Sequence, residues 1–155
     1  MAVRLARVGG ELVAVEAEPG LTFLGEADGV VVGAKGRRAR VKLVGEEQDW
    51  DRRVVVAGCD PALGLLAREA GRLAGVEVVT VAAPSLLALE WLKAGLVHVA
   101  GMHLEDPRTG EFNRPQVKQL MRGEAALFTF ARWEEGLVVA AKNPTGVRSL
   151  EELWD

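Results

Sequence analysis

Two stretches of the chain collect residue types that can handle a ligand. The first is Gly58-Cys59-Asp60-Pro61-Ala62, which separates an apolar run from an amphipathic one. Amides exposed at the start of a helix, together with the helix dipole, favour an anion. Asp60 suits the N-cap and Pro61 the first helical position. The same pattern also serves as a plain strand-to-helix turn, and Asp60 opposes an anion unless its carboxylate is turned into capping. Cys59 lies near that helix start, a setting that activates thiols. No base accompanies it in sequence, so it reads as a small buried residue rather than a nucleophile.

The second stretch, Gly101 to Asn113, gathers His103, Glu105, Asp106, Arg108, Thr109, Glu111 and Asn113 in one polar loop. His103, Asp106 and Glu111 are metal ligands by type. A lone histidine among loop carboxylates more commonly marks a hydrogen-bonded turn, so no metal is expected. Between the two stretches, Pro84-Ser85 opens a helix, where Ser85 either offers its hydroxyl to a ligand or caps. The chain has no Walker loop, GxGxxG fingerprint, GxSxG elbow or HExxH helix. Without such a motif, binding rather than catalysis is expected, with no cofactor.

The elements that position these residues change rhythm along the chain. Residues 1–46 alternate like strands: Val3 to Val8, Leu12 to Val15, Val30 to Val32, and Ala39 to Val44. Gly9-Gly10 predicts a hairpin turn, and Gly33-Ala34-Lys35-Gly36 separates the second pair. Such an all-β module is too small for a large core of its own and should pack on its neighbour. Residues 47–52 read as a linker. From Arg53 the pattern becomes α/β: an apolar run to Gly58, as in a strand buried on both faces, then a helix with Leu63, Leu66, Ala70 and Leu73 on one stripe, closed by Gly75. Val76 to Val81, a helix from Ser85 to Gly95, and Val97 to Gly101 follow. That order predicts a right-handed, Rossmann-like parallel unit. Beyond it, Pro115 to Met121 predicts a helix, Ala126 to Ala131 and Gly136 to Ala140 predict strands, and Ser149 to Leu153 a capped turn.

Composition narrows the function classes. The 155 residues are 49% hydrophobic and 26% charged, a globular balance, with a formal net charge of −3. That charge gives no reason to expect a polyanion, so nucleic acid is not an expected partner, and the Arg37-Arg38-Ala39-Arg40 cluster reads as a solvated strand end. No apolar run is long enough to span a bilayer and no signal peptide is evident, so neither a membrane partner nor export is expected, and cytoplasm is the default compartment. One cysteine excludes an internal disulfide. The absence of Tyr beside abundant Arg, Glu, Ala and Val is in keeping with a thermophilic source.

The runs Gly58-Cys59-Asp60-Pro61-Ala62-Leu63, Pro84-Ser85-Leu86-Leu87-Ala88-Leu89 and Ala100 to Asn113 resemble the periplasmic-binding-protein-like domain of molybdate- and molybdopterin-related proteins. The segment AG-x-HL-x-DP-x-TGE-[YF]-N is its specific part, and Asn143-Pro144-Thr145-Gly146-Val147-Arg148-Ser149-Leu150 extends the likeness. Val3-Arg4-Leu5, with Leu24 to Val32 and its L-x-x-ADG core, is similar to the C-terminal β-domain of molybdopterin molybdenumtransferases. The resemblance implies an α/β fold: a type 2 binding-protein-like lobe over residues 53–155, truncated before its second lobe, behind the β module. It implies a small-oxyanion ligand, molybdate or tungstate, and a link to molybdenum cofactor metabolism. Gly58, Cys59, Asp60, Ala62 and Ser85 would hold the anion, with His103 and Asn113 on the far wall. A homodimer, or a partner subunit supplying the missing lobe, is the expected association. Two alternatives stand beside this: a degenerate assembly module that no longer binds, and an accessory part of a molybdopterin-biosynthesis enzyme.

Overall fold

The computed structural model describes residues 1–17, 27–46, 49–123, 125–132, 136, 138–149 and 151–153. The N-terminal module is antiparallel as expected, with β1 (Ala2–Val8), β2 (Glu11–Glu16), β3 (Gly29–Lys35) and β4 (Arg38–Leu43) in the order β2-β1-β3-β4. β1 and β2 pair from Val3↔Glu16 to Val8↔Glu11. Gly9 and Gly10 close that hairpin with φ of 57° and 88°, a backbone that suits the twist of two strands and that side chains resist. The β3–β4 turn is tighter than the sequence suggests. The strands run on through Ala34 and Lys35 to pair with Ala39 and Arg38, so only Gly36 and Arg37 turn the chain. β1 meets β3 only at Ala2↔Val30 and Val3↔Gly29, which leaves the rest of β3–β4 as a two-stranded ribbon. Of the Leu24 to Val32 motif, residues 24–26 lie outside the described residues, as do 47 and 48 of the linker; Trp50–Arg52 forms a single 3-10 turn.

The second unit is a parallel sheet of β5 (Arg53–Gly58), β6 (Glu77–Ala82) and β7 (Val99–Ala100), ordered β6-β5-β7. The helices are α1 (Leu63–Ala74), α2 (Ser85–Lys93) and α3 (Arg114–Met121). Central β5 is buried nearly throughout, which is why its sequence is continuously apolar. Val55 and Ala57 cluster with Val79, Ala88 and Val97, and also with Ala6, Val8 and Val15 of the β module. On the opposite face, Gly58 abuts Leu63 of α1. The helices therefore flank the sheet, as right-handed crossovers require when the strand order reverses.

One core thus serves both units, and polar bonds fasten them at the amino end of β5. The Arg53 guanidinium, 3% exposed, pairs with Asp28 and Glu77 and donates to Leu5 O at 2.9 Å. Asp28 also accepts the Leu5 amide at 2.6 Å. The ADG aspartate is thus a structural anchor. His98 makes a second link: its Nδ1 accepts the Val55 amide at 2.9 Å, so its proton sits on Nε2, which donates to Arg7 O at 2.9 Å.

Several sequence expectations are corrected. Helix α1 begins at Leu63, with Ala62 rather than Asp60 at the N-cap. Asp60 Oδ1 accepts the Ala62 amide at 2.8 Å, and Asp60 O the Leu63 amide at 3.1 Å, so residues 60–62 are spent in a turn before the helix. Pro84 is the N-cap of α2, and Ser85 its first residue. In the α1 stripe only Leu63 is buried; Leu73 is 71% exposed, because α1 lies over edge strand β6 of a narrow sheet. The strands expected at 126–131 and 136–140 are not strands among the described residues. They have no ladder partner there, and a lone strand leaves its amides and carbonyls unpaired. Cys59 is exposed, not buried.

Candidate functional site

Because all three strands of the second sheet are parallel, the loops after β5, β6 and β7 emerge on one edge. β5 pairs with β6 up to Gly58↔Ala82 and with β7 at Ala57↔Ala100, so the strand ends are level. The backbone stays stitched just past them: Ala83 N donates to Gly58 O at 3.1 Å, and Gly101 N to Ala57 O at 2.7 Å. The chain runs from β5 to β6 over one face and from β6 to β7 over the other. The crevice between the ends of β5 and β7 is therefore the switch point where open α/β sheets receive ligands.

Gly58 and Gly101 form the floor of that crevice. A Cβ on Gly58 would stand 3.0 Å from Gly101 O and 3.1 Å from Gly101 Cα, so any larger residue would push the Gly101 backbone away by a few tenths of an ångström. Above them, Cys59 Sγ lies 3.9 Å from His103 Nδ1. The fold supplies, from 44 residues away, the base that is absent from the sequence around Cys59. Ser85 is 5% exposed, and its Oγ accepts the His103 amide at 3.2 Å. Accepting there leaves the hydroxyl proton of Ser85 to be donated elsewhere. Gly58, Cys59, Ser85 and His103, drawn from three loops, are thereby brought together.

Asp60, Ala62 and Asn113 have their polar groups engaged locally. The Asp60 carboxylate is turned onto the Ala62 amide, which removes its opposition to an anion and also uses that amide. Asn113 adopts a left-handed φ of 64°, donates its amide to Leu104 O at 2.7 Å, and accepts the Leu104 amide on Oδ1 at 2.8 Å. It closes the 104–113 loop, and its Nδ2 is what remains to meet a ligand. The loop's buried carboxylate, Asp106, is 7% exposed and accepts the Arg108 amide at 2.9 Å. That amide bond, then the Arg108 side chain, hold its carboxyl below the usual carboxylate range. His103, Asp106 and Glu111 do not converge, and the described residues contain no group of three metal-ligating side chains.

Sequence reasoning expected helix-start amides at residues 58–62, and missed both their shift into α1 and the second set at the start of α2. With α1 beginning at Leu63, the Gly64 and Leu65 amides face no acceptor among the described residues; in α2 the same holds for Leu86 and Leu87. The displaced start of α1 was hidden because Asp-Pro is equally good as a turn and as a helix opening. Together, the edge presents neutral donors from two helix starts, one hydroxyl, and a thiol–imidazole pair.

Comparison with known proteins agrees with this layout. The chain is 26% identical over 108 residues to an uncharacterized protein, YvgK, of Bacillus subtilis (strain 168). The match covers 69% of this chain but 35% of that relative, so the chain spans about a third of its length. No solved structure matches significantly. The family model for the PBP superfamily domain matches residues 67–155, from within α1 through the 104–113 loop to the last residue. With more than half its length under that model, and loops gathered on one edge of a parallel sheet, this chain belongs to the periplasmic-binding-protein-like (PBP) superfamily.

Proposed function

We propose that the carboxyl edge of the β6-β5-β7 sheet binds a small oxyanion of the molybdate or tungstate class, in the service of molybdenum or tungsten cofactor metabolism. The observation that carries this reading is the convergence of Ser85, His103 and Cys59 on the glycine-floored crevice, flanked by two helix starts. A tetrahedral oxyanion is well held by amides and hydroxyls, donors that carry no charge to desolvate. Asp60, the one carboxylate on the first loop, is turned away into its own turn. Superfamily membership favours binding over catalysis, and none of the side chains at the edge needs a covalent role in this account.

Thermal-shift titration with molybdate, tungstate, sulfate and phosphate tests the reading. Ligand at a hundred times its dissociation constant adds about 2.7 kcal/mol of stability, which raises the midpoint visibly. A rise selective for molybdate or tungstate is expected; identical curves with all four anions and with none would refute it.

A second reading is favoured by a different observation. Phe128 is 83% exposed, Phe130 51% and Val138 98%, apolar surface of the kind that marks an interface. In that reading the chain acts as an assembly module, and light scattering would show a stable dimer that no anion alters.

A further inference from the structure

The β3–β4 ribbon carries a concentration of charge that the carboxyl edge of the parallel sheet does not explain. Between Asp28 and Glu46 the sequence has no acidic residue, yet it carries Lys35, Arg37, Arg38, Arg40 and Lys42. All five are exposed, and none has an ion-pair partner among the described residues. The net charge of −3 averages over this segregation, so the rest of the chain is more acidic than that value suggests.

Register sorts the cations by face. Arg38, Arg40 and Lys42 alternate along β4, so they share one face, and Lys35 joins them because it pairs with Arg38. Their spacing of about 6.6–6.8 Å along the strand is two residue rises. It is comparable with the interval between successive phosphates of a nucleic-acid strand. Opposite Arg40 stands Gly33, where a Cβ would lie 3.2 Å from Arg40 Nη2. The glycine thereby lets the guanidinium lie across the ribbon. A shallow depression of about 330 Å³ is lined there by Gly33, Ala34, Lys35, Arg38, Ala39 and Arg40. Past Val31, whose amide donates to Met1 O at 3.0 Å, the ribbon has no backbone bond to the first strand among the described residues, and a free two-stranded ribbon is narrow enough to enter the major groove of a duplex.

We propose that this ribbon binds the phosphate backbone of a duplex nucleic acid, independently of the oxyanion site. The departure from the sequence expectation comes from geometry, which concentrates on one narrow strip the cations that the net charge dilutes. The ribbon bears no aromatic side chain on which unpaired bases could stack, which favours a duplex over a single strand. It bears no bulky apolar residue beyond its valines and Leu43 to enter a lipid surface, which favours a duplex over a membrane.

The test is fluorescence anisotropy of a labelled random-sequence DNA duplex with the full chain. If four cations each neutralise a phosphate, affinity should fall about 150-fold between about 50 and 200 mM salt. The triple variant Arg38→Gln/Arg40→Gln/Lys42→Gln should abolish binding while its circular dichroism and midpoint stay unchanged. The variant Arg38→Lys/Arg40→Lys should retain it, because the charge and not the fork is used. Absence of binding at low salt overturns the proposal, as does binding that survives the triple substitution. So does tighter binding to phosphatidylserine-containing vesicles than to the duplex. The molybdate response of the triple variant reads the oxyanion site separately, so failure of one reading leaves the other measurable.

Discussion

Replacing Arg53 by methionine tests how the two units are held as one body. Its side chain and that of Asp28 are 3% and 5% exposed, so neither charge is solvated when the other is removed. Among the described residues, Arg53→Met leaves Asp28 with only the Leu5 amide, and leaves Leu5 O without the guanidinium donor. Breaking a buried pair from one side costs about 3–5 kcal/mol, because an uncompensated charge stays behind. In a chain of this size, each kcal/mol moves the midpoint about 2–4 °C, so a fall of about 6–20 °C is expected. The pair of Arg53 with Glu77 contributes little to that loss, since the Glu77 side chain is 44% exposed and also meets Arg4. Thermal denaturation followed by circular dichroism reads the effect, and the double variant Arg53→Met/Asp28→Leu isolates the coupling. Removing both charges should restore much of the loss. Strict additivity of Arg53→Met and Asp28→Leu in the double variant would refute the reasoning, as would a single variant that melts like the parent.

Three further outcomes follow from the same geometry. Gly58→Ala drives a methyl into backbone atoms of Gly101, so it should cost about 1–3 kcal/mol and weaken anion binding together with the midpoint. Asp106 has its carboxyl held down by the Arg108 amide, so the stability it lends the 104–113 loop is present above the ordinary carboxylate range and is lost as pH falls through its lowered value. Protection of the Leu104 and Thr109 amides against hydrogen exchange, taken relative to the intrinsic rate at each pH, should therefore hold through mildly acidic pH and fall only below it. Alkylation of the exposed Cys59 with iodoacetamide places a bulky group in the crevice, so it should abolish any anion-induced rise in midpoint without lowering the midpoint of the free protein.

Much of the fold was legible in the residues because local chemistry and packing agree there. The Gly9-Gly10 turn, the apolar run at β5 and the Gly75 end of α1 each have one good structural solution, and the chain adopts it. The errors fall where one local pattern has two solutions. Asp60-Pro61 serves turn and helix start alike, and the choice of turn moves the free amides from Ala62 to Gly64 and Leu65. Residues 126–131 have strand composition, but strand structure depends on a partner that local sequence does not specify. The site was legible as loops and not as contacts. Periodicity places Cys59, Ser85 and His103 after successive strands, whereas the 3.9 Å approach of Cys59 to His103 depends on the β6-β5-β7 order, which periodicity does not encode. Asn113 looked like a ligand group because its role in closing a loop needs a left-handed backbone that sequence alone does not reveal.

The central claim is that neutral donors at the carboxyl edge of the parallel sheet hold a single oxyanion. Isothermal titration of molybdate into the parent chain and into Ser85→Ala tests it most directly, because Ser85 is the buried hydroxyl in the crevice. The account predicts saturable binding of one molybdate per chain, weakened about tenfold or more when that hydrogen bond is removed. No saturable heat with the parent chain, or equal affinity in Ser85→Ala, would contradict it.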